Sequence, residues 1–93
     1  MTKLQEKAVE MVNDLIPNFK ELEFSASIGD TSRSIEFIVS INNERHQCYE
    51  LADTGIIDED KMEKLFDAYA EYLRGTAEYK KGEVNKFKFT IEK

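Results

Sequence analysis

The sequence predicts an α+β fold: one domain over residues 1–93, ordered α-β-β-β-α-β, with one mainly antiparallel sheet and two helices on one of its faces. Three observations point there. Apolar residues recur at helical spacing in two stretches. They alternate with period two in four others. Short clusters of glycine, aspartate, serine and asparagine separate the first three strands, leaving no room for parallel crossovers.

The spacing predicts a first helix over residues 2–16, with Leu4, Ala8, Val9, Val12, Leu15 and Ile16 on one stripe. Thr2 is placed to cap it, with Gln5 as the reciprocal partner. Pro17 ends it, because a residue before proline is pushed out of the helical region. A strand is expected over 20–28, with Leu22, Phe24, Ala26 and Ile28 facing one way. The Gly29–Ser32 cluster turns the chain into a second strand over 33–41, whose inner side is Ile35, Phe37, Val39 and Ile41. Asn42-Asn43 makes a two-residue hairpin turn, since asparagine tolerates positive φ. A third strand is expected from Glu44 to about Leu51.

Such turns set register. Ile28 should oppose Arg33, which brings Ala26 to Ile35, Phe24 to Phe37 and Leu22 to Val39. Likewise Ile41 should oppose Glu44, which brings Val39 to His46 and Phe37 to Cys48. Arg45, Gln47 and Tyr49 are then expected on the open face of the sheet.

Residues 52–57 are expected to form a loop. Asp58 should cap the second helix, with Ile57 and Met62 closing a hydrophobic staple. Its apolar stripe is Met62, Leu65, Phe66, Tyr69 and Leu73, and helical spacing carries it past Gly75 to about Lys81. The last strand, over 85–92, turns Phe87, Phe89 and Ile91 inward and Lys86, Lys88 and Thr90 outward, a pattern that suits a sheet edge. Its neighbour, the first strand or the third, stays open at this stage.

Charge and composition narrow the function. The chain has 19 acidic and 13 basic residues, a net charge of −6. Such a body repels polyphosphate, which disfavours direct nucleic-acid binding, and it attracts basic proteins. The lone Cys48 has no partner for an internal disulfide, which fits a reducing compartment. No signal-like segment opens the chain, and no apolar run reaches the roughly 20 residues of a membrane helix. The expected location is the cytoplasm.

Catalytic and metal constellations are weak. His46 and Cys48 lie two apart on one predicted strand, with Cβ atoms roughly 7 Å apart and no third group to orient the imidazole. The acidic run around Asp53, Asp58, Glu59 and Asp60 lacks the alternating ligands and internal glycine of a calcium loop, and helix capping accounts for it. The expectation is no enzyme, no metal and no cofactor.

Binding is the better-supported class. On the expected open sheet face, Glu21, Glu23, Glu36, Arg45 and Gln47 surround Ile38 and Tyr49, an apolar anchor within a polar rim. A second candidate surface is the outer side of the second helix, with Asp60, Glu63, Asp67 and Glu71. The plain alternative for that surface is a solvated helix face with internal pairs such as Asp60 with Lys64.

The chain resembles the YezG-like family of bacterial immunity proteins (antitoxins). The likeness rests on the helix end Asn13-Asp14-Leu15-Ile16-Pro17 and on Ser34-Ile35-Glu36-Phe37-Ile38-Val39. It extends to Leu65-Phe66-Asp67-Ala68-Tyr69 and the closing strand Asn85–Glu92. More broadly, the size and acidity resemble immunity proteins of contact-dependent inhibition systems. The resemblance implies a protein that binds and neutralises the C-terminal domain of a cognate secreted toxin, often a nuclease. Occlusion of a basic groove is the implied mechanism, by a monomer or weak homodimer. The competing expectation is a small homodimeric structural or regulatory module without a toxin, pairing through the last strand or the open sheet face.

Overall fold

The structure, a computed structural model, describes residues 1–93. Helix α1 spans Lys3–Leu15, and strands β1, β2 and β3 span Glu21–Ile28, Arg33–Ile41 and Glu44–Gln47. A short helix α2, Cys48–Asp53, and a longer α3, Glu59–Arg74, precede strand β4, Asn85–Glu92. The class is α+β, and the sheet is antiparallel throughout, in the order β3-β2-β1-β4.

Local chemistry explains each boundary. Thr2 and Gln5 form a reciprocal capping box at the start of α1, and Ile16 leaves the helix in extended conformation before Pro17. Asn42 and Asn43 take φ of 51° and 66°, as a tight hairpin requires. Asp58 accepts the Lys61 N–H at the head of α3, and Ile57 and Met62 are both buried beside it. The pairing of β1 with β2 runs from Glu21–Ser40 to Ile28–Arg33, the register the turn dictates.

Four expectations are corrected. The third strand stops at Gln47 rather than Leu51, because the Gln47 side chain accepts the N–H groups of Tyr49 and Glu50 and starts α2. The domain therefore carries three helices. The last helix ends at Arg74, not near Lys81. The Gly75 N–H turns back to the Tyr72 carbonyl, and both the N–H and the hydroxyl of Thr76 bond the Leu73 carbonyl, which closes the helix in a tight turn. Asp60 and Lys64 form no ion pair; Lys61 instead reaches the carbonyl and carboxylate of Asp14 on α1.

The last strand pairs with the first. β4 runs antiparallel to β1, from Glu21–Glu92 to Ile28–Asn85, and forms one edge of the sheet. All three helices bury their apolar sides against the same face. Phe24, Phe37, Leu22 and Ile28 of the sheet join Val12, Leu51, Phe66 and Leu73 of the helices in one core cluster. No buried polar side chain lies within that core. The opposite face of the sheet carries no layer.

Candidate functional site

The uncovered sheet face brings together Glu21, Glu23, Glu36, Ile38, Arg45 and Gln47, as their alternation demands. Arg45 is ion-paired with Glu23 across β2. Beside this pair lies a shallow depression of about 210 Å³, lined by Glu23, Ser25, Glu36, Ile38, Gln47 and Lys88. Ile38 is half-buried there. The face also carries Lys86 and Lys88 from β4, so its carboxylates are largely matched by cations.

Tyr49 is not on that face. Because α2 starts at Cys48, Tyr49 lies beyond the end of β3, on the helix side of the sheet. Its ring packs edge-on to Phe66 at 6.4 Å, and its hydroxyl donates to the Ile35 carbonyl at 3.2 Å. It is still 36 % exposed. Burial and the nearby carboxylates of Glu63 and Glu36 raise its pKa. Those two carboxylates thus mark its electrostatic surroundings. Ile56, in the link between α2 and α3, is 62 % exposed.

Charge is distributed unevenly around this corner. Residues 34–67 hold nine acidic and three basic side chains, while the remaining chain holds ten of each. Counted from Arg33, where β2 begins, to Asp67 in α3, the stretch holds nine acidic and four basic side chains and so carries −5 of the net −6. Glu44, Glu50, Asp53, Asp58, Glu59 and Asp60 are all exposed. The other edge of the sheet has the reverse balance: residues 76–93 hold five basic and three acidic side chains.

Not every carboxylate of the second candidate surface is free. Arg33, whose side chain is only 19 % exposed, donates to Glu63 and Asp67 at 2.7 Å each and stacks over Phe66. Hydrogen bonds and charge from those two carboxylates raise the Arg33 pKa against the opposing effect of its partial burial. Glu71 is held by Arg74, which also grips the carbonyls of Gly29 and Ser32 in the β1–β2 turn. Of the four acids on α3 singled out from sequence, Asp60 alone has no cationic partner. Glu63 and Asp67 fasten α3 to the sheet through Arg33, while Glu71 braces, within α3, the Arg74 that grips the β1–β2 turn. The sequence signal for this clamp was an arginine at a core-facing register position.

His46 and Cys48 do not form a nucleophile–base pair. His46 lies 3.5 Å from the Glu44 carboxylate. Cys48 is buried, its Sγ accepts the Phe37 N–H at 3.5 Å, and burial pushes its thiol pKa up. A thiol held neutral in this way packs as a small apolar group. No group of three or more His, Cys, Asp or Glu side chains converges as metal ligands would. No helix is long and apolar enough to cross a membrane.

A second concavity, about 660 Å³ and open to solvent, runs between α1 and α3. Met11, Leu65, Tyr69 and Tyr72 form its apolar part, and Lys7, Glu10 and Asp14 its polar part. Comparison of the chain with protein-family models, curated proteins and solved structures returned no match.

Proposed function

We propose that this chain is an immunity protein that neutralises a basic toxin domain of the nuclease class in the cytoplasm. One observation carries the reading: −5 of the net −6 falls between the start of β2 and the middle of α3, with Tyr49 and Ile56 exposed in the same stretch. A groove that holds a phosphate backbone is positive by necessity, so a convex acidic surface complements it directly. Long-range attraction speeds the encounter, and a rigid aromatic flanked by carboxylates holds the complex. Tyr49 suits that role because its hydroxyl is already satisfied on Ile35 and its ring is braced by Phe66.

Glu36, Glu50, Asp53 and Asp60 with Tyr49 are the first contacts under this reading. The uncovered sheet face, through Glu21, Glu23, Ile38, Arg45 and Gln47, extends the surface beyond β2. The Glu23–Arg45 pair and the lysines of β4 leave that face less negative than the corner, which ranks it second.

The test is complex formation with the toxin domain encoded beside this chain, followed by nuclease assay. Binding is expected to inhibit cleavage, with an association rate that falls steeply with added salt. Glu50→Lys with Asp53→Lys should slow association at least about tenfold at low ionic strength, whereas Glu21→Lys with Lys86→Glu should not. Failure of the purified partners to hold together near physiological salt overturns the reading.

A further inference from the structure

The edge strand β4 has a feature that its lysines alone do not explain. It is eight residues long and fully extended, and only β1 pairs with it. The other edge, β3, has only four residues and runs straight into α2. The Lys93 N–H donates to the Lys20 carbonyl at 2.8 Å, and this fixes the alternation along β4. Odd-numbered residues bond toward β1. Lys86, Lys88, Thr90 and Glu92 therefore aim their N–H and C=O groups outward, and no turn or loop backbone bond engages them. Phe87 and Phe89, on the helix side, are only half-buried although they belong to the core layer.

Edge lysines discourage indiscriminate pairing. One partner fits their pattern, namely a second copy of the same strand. We infer that two copies of this chain pair through β4, antiparallel about a two-fold axis at Phe89, to make a continuous eight-stranded sheet. In this register Lys86 stands opposite Glu92 of the partner subunit, and Lys88 opposite the partner's Thr90. Phe87 meets the partner's Ile91, and Phe89 meets the partner's Phe89, which covers the half-exposed aromatics. The outward-aimed residues then bond one another, as an antiparallel ladder requires. Shifting the axis to Lys88 sets lysine against lysine and is disfavoured. A contact of one strand pair and a few side chains is small, so association belongs at concentrations on the order of 100 μM. The acidic corner lies at the opposite edge and stays free, so the inference does not rest on the toxin reading.

Sedimentation equilibrium across a concentration series tests it. The native chain should pass from monomer to dimer. Lys86→Glu and Glu92→Lys should each weaken the dimer about tenfold by opposing like charges at two symmetric positions. The double variant should restore it. Lys88→Pro deletes an outward N–H that β1 does not use, and it should leave a monomer whose circular dichroism is native. A chain that stays monomeric near millimolar concentration overturns the inference. So does a double charge swap that rescues nothing, or a folded Lys88→Pro variant that still dimerises.

Discussion

Tyr69 joins two helices through a single hydroxyl. Its ring is buried under α1 and against Phe24, and its O–H donates to the Leu4 carbonyl at 2.8 Å. Burial raises its pKa above the ordinary 10.0 of a phenol. For tyrosine the protonated form is the neutral one, so the folded state holds this proton more tightly than the unfolded chain does. The associated stability is complete below pH 10.0 and drains away as pH climbs through the folded-state value. Tyr69→Phe should lower stability at neutral pH by about 1 kcal/mol through the lost hydrogen bond. It should also flatten the alkaline limb of the urea midpoint plotted against pH. Equal alkaline slopes in the two proteins would show that another group sets that limb. Tyr69 was legible as a core residue from helical spacing, but its bond to Leu4 was not, since it spans 65 positions that only the folded packing of α1 on α3 brings together.

Helix α2 depends on its cap more than any other element. Six residues are too few to sustain a helix by propensity. The Gln47 side chain takes two N–H groups, at 2.8 and 3.4 Å, and Cys48 and Leu51 anchor one turn in the core. Gln47→Ala should therefore cost about 1 kcal/mol globally and more locally. Cys48 reports the local effect: its buried thiol should react with a disulfide reagent several-fold faster in the variant while α1 and α3 persist. Unchanged thiol reactivity would mean that packing alone holds α2. The same element marks a limit of pattern reading. Tyr49 and Leu51 continue the period-two alternation of β3, yet Cys48, Leu51 and Ala52 also carry helical spacing, and over so short a run neither period dominates. The Gln47 cap decides, and glutamine is a weak cap signal in sequence. By contrast, the β1–β2 register was legible throughout and the β2–β3 register as far as Gln47, because asparagine and glycine clusters fix turn length; the expected Phe37–Cys48 pair gives way to the start of α2. The seat of β4 was not legible. Either edge of a three-stranded sheet accepts an alternating strand, and the choice follows from where α3 and the link after Arg74 deliver the chain.

The molecule is electrically lopsided, and this sets its response to salt. Acidic residues crowd β3, α2 and the start of α3, while the lysines of β4 and its approach sit at the far edge of the sheet. This polarity can be counted along the sequence, but its meaning needs the topology, which puts the acidic and basic stretches at opposite ends of the strand order. Two opposing effects follow on adding salt. Screening relieves repulsion among Glu44, Glu50, Asp53, Glu59 and Asp60, none of which is offset by an arginine. Screening also weakens the clamps of Arg33, Arg45 and Arg74. The clamps stand at 4 Å or less and two are partly buried, so salt reaches them less. Repulsion is therefore the larger loss, and the urea midpoint should rise between about 10 mM and 500 mM sodium chloride, where the Debye length falls from roughly 30 Å to under 5 Å. In a Glu50→Gln, Asp53→Asn, Asp60→Asn variant the rise should shrink to a fraction, with higher stability at low salt. A midpoint that falls with salt would assign the greater share to the arginine clamps. The direction also separates folding from docking, since the salt that steadies this fold is expected to slow its capture of a basic partner.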